Sequence, residues 1–333
     1  MPDNADICAV KNVDSTIGAS ASLVRGPRLA DHLLALAVVA IWGVTFISTK
    51  LLIGAGLLPA QIFALRFAVA YAGIWGLCLG RSHTRRLFSD SLRDELLFVL
   101  LGITGGSLYF LTENTALACS QACNVSFIVC SAPLITALLT LLAKRLFHGE
   151  LADGLEEIRG RRNLMAGTVL ALCGVAAVVF DGQAVELSAK GDLLALAAAL
   201  CWGVYSIFMS QMTAHYGALL ATRKVFFYGL ITIIPFLAGT PLDFSLLLKP
   251  VVWGNLAFLS LAASLLCFVL WNRVMARLGN VTATNYVYLN PFFTLVSAVF
   301  LLGERLTPQA AIGCAAIVLG VILGGSGHKT KTK

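Results

Sequence analysis

Apolar residues run along this chain in long blocks broken by short polar or Gly/Pro turns. Ten such blocks stand out, at 32–53, 60–79, 95–117, 121–143, 163–181, 190–212, 219–239, 251–276, 280–302 and 308–325. A bilayer core is roughly 30 Å thick and a helix needs about 20 residues to cross it. Porin-type strands would alternate polar and apolar positions over about ten residues, and no block does so. In lipid a backbone must satisfy its own hydrogen bonds, which a helix does within one segment. The pattern therefore predicts an all-α integral membrane protein with ten transmembrane helices.

The blocks also repeat. Residues 35–44 read ALAVVAIWGV and residues 195–204 read ALAAALCWGV. Phe110, Asn114, Ala118, Pro133 and Thr136 each meet their own residue type 158 positions later, at Phe268, Asn272, Ala276, Pro291 and Thr294. Arg66 and Tyr71 recur as Arg223 and Tyr228, 157 positions on. Gly167 and Gly174 keep their spacing as Gly313 and Gly320. Each half holds five predicted spans, and an odd number turns the second copy over, so the fold expected is two inverted five-helix repeats. Residues 31–181 form the first and 190–326 the second. Flanking them are a flexible cytoplasmic tail, 1–30, and a basic one, 327–333. The first half carries an insertion around 151–162, rich in charge, which reads as a solvated cytoplasmic loop. Two related halves in a membrane suit a transporter, because one repeat rocking against the other gives alternating access.

Composition sharpens this. The chain has 333 residues, 58% hydrophobic and 12% charged, with a mean hydropathy of +0.86. That is about half the charge content of a soluble domain. The net charge of +7 is a membrane signal and not a nucleic-acid one. With the N-terminus inside, nineteen Lys and Arg fall on the cytoplasmic side and three (Lys190, Lys249, Arg305) outside, a strong positive-inside bias. Both termini of this multi-pass membrane protein are then expected on the cytoplasmic side. Residues 1–30 contain Asp3, Asp6 and Asp14 and no long apolar run, unlike a signal peptide. The nine cysteines are scattered without CxxC or metal-ligand spacing, so no metal and no cofactor is expected. Partners are a small-molecule substrate and the bilayer.

Several stretches then resemble one family. These are I-W-G-V-T-F at 41–46 with Lys50, A-L-R-F at 64–67, a proline with a small/apolar run at 131–140, and G-E-R-L-T-P-Q-A at 303–310 with Gly313 and Gly320. In this order they are similar to EamA-type transporters of the drug/metabolite transporter superfamily, over about residues 33 to 325. The sequence departs at 144–150, KRLFHGE, and at Glu113, where a neutral residue is expected. The resemblance implies export or exchange of small metabolites, amino-acid-like or amphipathic, without ATP. It does not name a substrate.

Ionisable groups within lipid cost roughly 2.5–3.5 kcal/mol each on insertion scales, which singles out Lys50, Arg66 and Glu113. All three fall toward the outer ends of predicted helices. They read as a charge pair with one cation left to anchor a substrate anion, or as a structural Arg66–Glu113 pair with Lys50 reaching the surface. Pro133 and Pro291 interrupt corresponding helices, and paired breaks point to a midplane site. Around them lie Asn124, Ser126, Ser131, Asn285, Tyr286, Tyr288 and Asn290, either substrate ligands or interhelical glue. Trp42 and Trp202 are repeat mates, each followed by glycine, placed to line a central cavity or to pack. GxxxG spacing at Gly102/Gly106 and Gly320/Gly324 allows a homodimer without requiring one. A channel or a membrane-embedded enzyme is the alternative, although neither a repeated filter loop nor a nucleophile–base arrangement is present.

The charge asymmetry yields a topology test. Reporter fusions after residues 85, 155 and 333 should read cytoplasmic, and fusions after 57, 186 and 245 should read external. An external C-terminus would overturn both the ten-span count and the inverted repeat.

Overall fold

A computed structural model describes residues 29–79, 86–120, 122–136, 138–139, 162–179, 188–302 and 308–325. Residues 1–28 and 327–333 of the expected tails, the loop around 151–162 up to residue 161, the 144–150 stretch and the turn at 303–307 lie outside the described residues. Among the described residues every regular element is helical. In chain order these are α1 (Leu29–Gly54), α2 (Pro59–Cys78), α3 (Leu92–Cys119), α4 (Ala122–Val129), α5 (Arg162–Val179), α6 (Ala189–Tyr216), α7 (Ala218–Leu237) and α8 (Pro250–Leu278). Residues 280–302 form α9, in three pieces: Asn280–Asn285, a 3-10 turn Tyr286–Leu289, and Asn290–Leu302. The last is α10 (Pro308–Gly325). Six of the described helices, α1, α2, α3, α6, α7 and α8, are long and apolar enough to cross a membrane. Three shorter apolar stretches, Val125–Thr136, Met165–Gly174 and Ala311–Leu323, accompany them.

Local signals explain the ends. Pro59 opens α2, where a missing N–H costs nothing, and the Gln61 side chain accepts from the Leu58 N–H at 3.0 Å. Gly217 between α6 and α7 and Gly279 between α8 and α9 adopt nearly the same left-handed turn, at φ 80° and 78°. Only glycine enters that region without strain, so each turn reverses the chain in one residue. Ser91 caps α3 by accepting from the Asp94 N–H.

Two of the long helices are not regular throughout. In α3, Ile103–Ser107 widens to a π-helix, with Gly106 at φ −127°, ψ −106°. In α8, Phe258–Leu266 does the same. With the 158-residue offset the first segment falls within the second. Each packs on the second helix of the opposite half, α3 on α7 and α8 on α2. The proline breaks are also visible. α4 is interrupted at Cys130 and Ser131, just before Pro133, and α9 tightens to 3-10 just before Pro291.

Glycines set the closest approaches. A Cβ on Gly174 would lie 2.5 Å from the Gly313 carbonyl, and one on Gly320 would lie 2.5 Å from the Gly167 carbonyl. Thus α5 and α10 cross backbone to backbone. Gly43 presses on Phe293 of α9, and its counterpart Gly203 presses on Ile135, the repeat mate of Phe293. Gly102 and Gly106 meet Tyr228 and Gly229 of α7. These glycines pack within one chain. Large apolar side chains such as Leu193, Ile234, Phe300, Ile312 and Ile322 stand on the outside, each 60% or more exposed, as a surface facing lipid requires.

This close packing is testable. Gly174→Leu and Gly320→Leu should each destabilise the protein by about 1–3 kcal/mol or more, because backbone cannot yield as a side chain does. Gly254→Ala, with nothing within 4 Å of the new atom, should stay within about 0.5 kcal/mol of the parent. Thermal melts in detergent would compare the three.

Candidate functional site

Aromatic rings fill the middle of the bundle. Trp42 of α1 and Trp202 of α6 meet edge to face, with centroids 5.4 Å apart. Their repeat-mate neighbours Phe110 and Phe268 lie 6.2 Å apart. Phe268 also touches Trp42, Phe67, Trp202, Tyr205 and Phe226. These rings surround a cavity lined by Trp42, Thr45, Phe46, Arg66, Tyr109, Phe110, Glu113, Val129, Trp202, Phe268, Val287 and Asn290. About 30 Å³ of it is open to the centre of a water molecule. That is room for about two ordered waters, too little for a metabolite-sized molecule.

Two charged side chains face this apolar space. Arg66 of α2 is 3% exposed and Glu113 of α3 is 7% exposed. The Arg66 Nε donates to Ser264 Oγ, and the guanidinium carbon sits 4.6 Å from the Phe110 ring centre and 5.5 Å from that of Phe67, a cation–π arrangement. Ser264 belongs to the π-helical part of α8. That irregular turn sets its hydroxyl against the arginine, a use often found for π-bulges. The Tyr109 hydroxyl, one turn before Glu113, donates to the Glu113 carboxylate at 2.8 Å.

The expected Lys50–Arg66–Glu113 cluster does not assemble. Among the described residues the carboxylate–cation pairs are Arg86–Asp90, His215–Asp90, Lys224–Glu95 and Arg277–Asp31. Arg66 and Glu113 share the cavity without direct contact. Lys50 is exposed and donates to the Ser120 carbonyl at 2.6 Å, beside the last turn of α3, where a cation suits the helix end.

The other singled-out residues divide. Asn290 and both tryptophans line the cavity. The Asn290 Oδ1 and the Trp202 indole N–H are buried without a partner, which in a native interior calls for an explanation such as a ligand. The Trp42 indole donates to the Ala263 carbonyl at 3.0 Å, so its role is fixed by α8. Ser131 Oγ and Asn285 Oδ1 are also buried and unpartnered, but neither is on the cavity wall. Ser126 is fully buried in α4. The Tyr286 hydroxyl is engaged by His32 at 2.7 Å. Tyr288 is 1% exposed and packs away from the cavity. The Asn124 side chain lies outside the described residues.

The proline breaks have a sharper role than their polar neighbours. Pro291 has no N–H for the Val287 carbonyl four residues back; Cys130 Sγ, at the interruption of α4, donates to it at 3.3 Å. Pro133 stands in the same relation to Val129. Val129 and Val287 are repeat mates, 158 residues apart, and both line the cavity. Sequence reading missed them because valine carries no chemistry of its own; the signal was the position four before each proline. Tyr109 and Thr45 were missed for lack of a repeat mate.

A second polar cluster lies at the other end of α3. Arg223 and Lys224, in the second turn of α7, are each 3% exposed. Lys224 Nζ meets Glu95 at 2.6 Å and the Leu87 carbonyl at 2.8 Å. Tyr228 donates to the same carboxylate. Arg223 stacks 4.4 Å from the Trp75 ring centre and donates to the Arg86 carbonyl. Trp75 is thus held by an arginine. Arg86 holds the neighbouring Asp90 carboxyl below the usual carboxylate range.

Comparison with known proteins agrees with this architecture. A solved structure titled "Crystal structure of protein" superposes with a TM-score of 0.65 at 20% identity, covering 89% of this chain and 96% of that one, which speaks to the fold alone. An "Uncharacterized transporter" of Archaeoglobus fulgidus is 27% identical over 88% of this chain and 96% of its own length. Proteins named "Probable amino-acid metabolite efflux pump" are 27% identical in Salmonella typhimurium, over 90% of this chain and 96% of theirs. The Escherichia coli protein of that name is 29% identical, over 88% and 94%. Residues 30–147 and 189–324 match the family described as "EamA-like transporter family", and this multi-pass membrane chain belongs to it.

Proposed function

We propose that the protein is a secondary-active carrier that exports or exchanges small metabolites, amino-acid-like or amphipathic, across the cytoplasmic membrane. It works by alternating access between two inverted five-helix repeats, with ten spans and both termini in the cytoplasm. The observation that carries this reading is the central cavity, half of whose lining comes in repeat-mate pairs: Trp42 with Trp202, Phe110 with Phe268, Val129 with Val287. A site between repeats is exposed to one side and then the other when the repeats rock. The antiparallel crossing of α5 and α10, Gly167 to Gly320 and Gly174 to Gly313, supports an inverted relation. Exchanging each residue for its mate maps one contact onto the other. The efflux-pump names of two relatives support the direction and the amino-acid-like class.

Counterflow in proteoliposomes tests the reading. Preloading with unlabelled amino acid should accelerate uptake of the labelled one, which a channel would not do. Asn290→Ala should slow transport by roughly threefold to tenfold, the worth of one hydrogen bond to a ligand, with near-normal abundance, since its Oδ1 loses no protein partner. Tyr288→Ala should instead lower abundance, because truncating a buried aromatic costs about 3–5 kcal/mol. Full transport by Asn290→Ala would place the passage elsewhere.

A further inference from the structure

We propose that Arg66 and Glu113 are the two poles of a site for a zwitterion, an α-amino acid with an apolar side chain, and that the site rejects molecules carrying only one of the two charges. This rests on the carrier reading above and names the substrate class of the same cavity.

The argument starts from what the two groups leave unused. Among the described residues, Nε–Ser264 is the one hydrogen bond of Arg66. Its terminal NH₂ groups, the fork that pairs with a carboxylate, have no acceptor among the described residues. Phe110 and Phe67 steady the plane of the guanidinium without taking a hydrogen bond from it. Glu113 accepts from Tyr109 through one oxygen, and among the described residues the other carboxylate oxygen has no donor. Leaving a buried charge half-satisfied is costly. The cheap solution, a direct ion pair, is absent although both side chains line one cavity.

A molecule bearing a carboxylate and an ammonium on one carbon completes both groups at once. Its carboxylate takes the Arg66 fork and its ammonium takes the free Glu113 oxygen. The unpartnered Oδ1 of Asn290 is a second acceptor for the ammonium. The rest of the wall is Trp42, Trp202, Phe110 and Phe268, which suits an apolar side chain. A molecule with one charge leaves the opposite pole buried and unmatched, and that mismatch is the basis of rejection.

The charge relation is built into one half only. The repeat mate of Glu113 is Trp271, and the mate of Arg66 is Arg223. Arg223 is held by Arg86 and Trp75 in the cluster at the other end of α3. The site is therefore polar in one sense, and a zwitterion enters it in one orientation.

Three ligands sharing one side chain make the test: L-phenylalanine, phenethylamine and 3-phenylpropionate, with binding measured on purified full-length protein in detergent. Wild type should bind the amino acid at least about tenfold more tightly than either analogue, the least that one charge-assisted hydrogen bond contributes. Arg66→Gln should weaken phenylalanine about tenfold and spare phenethylamine. Glu113→Gln should weaken phenylalanine similarly and spare 3-phenylpropionate. Should a glutamine variant not fold, Tyr109→Phe keeps the Glu113 side chain and removes the hydrogen bond that supports its carboxylate, and should weaken phenylalanine and phenethylamine while leaving 3-phenylpropionate unchanged. Either single-charge analogue binding wild type as tightly as phenylalanine would overturn the proposal. So would equal losses of all three ligands in both variants. If counterflow proceeds with a substrate that lacks one of the two charges, only the zwitterion proposal falls. If no substrate shows counterflow, the carrier reading falls with it.

Discussion

The approach of four helices at Gly43 and Gly203 decides what the centre of this molecule can be. Gly43 lets α1 lie against Phe293 of α9, and Gly203 lets α6 lie against Ile135 beyond the break in α4. A methyl group at Gly43 would stand 2.4 Å from Phe293 Cβ, closer than packed atoms approach. Each glycine directly follows a tryptophan in the chain. The contact that brings the helices together therefore also turns Trp42 and Trp202 toward each other across the repeat boundary. The aromatic cavity is a consequence of that packing.

Around this centre, irregular backbone does the positioning. The π-helical part of α8 carries Ser264 to Arg66, and that of α3 carries Gly106 onto α7, where Gly102 just before it also packs. The breaks before Pro133 and Pro291 set Val129 and Val287 on the cavity wall. Broken helices are tolerated at membrane depth only where protein or a cavity meets the freed backbone groups. Cys130 on the Val287 carbonyl is such a case. A low-dielectric interior strengthens polar contacts and makes missing ones costly, so the half-used Arg66 and Glu113 mark the part of the interior with a task other than packing.

The two halves share a frame and differ in chemistry. Arg66 and Arg223 occupy matching positions and both are 3% exposed. One faces the cavity; the other is stacked on Trp75 beside the Lys224–Glu95 pair. The same residue type thus lies against the cavity in one half and in a polar cluster at the other end of α3 in the other. Helix packing has been kept by both copies, while charge has been redistributed between them.

Long apolar blocks, their short turns and the recurrence of Trp-Gly, Asn and Pro at one offset were legible in the amino-acid order, because hydropathy and backbone chemistry are local properties. So were the positions of the helix breaks and the candidacy of Trp42, Trp202, Arg66, Glu113 and Asn290. What the chain alone could not decide was which charges meet. Lys50, Arg66 and Glu113 fall at similar depths in neighbouring helices, yet Lys50 turns to the end of α3, Arg66 to Ser264 and Glu113 to Tyr109. Tyr288 and Asn290 stand two residues apart on one broken helix, and only Asn290 reaches the cavity. Helix rotation and the placement of a π turn settle such choices. Both depend on how distant side chains and glycines pack, which the local sequence does not encode.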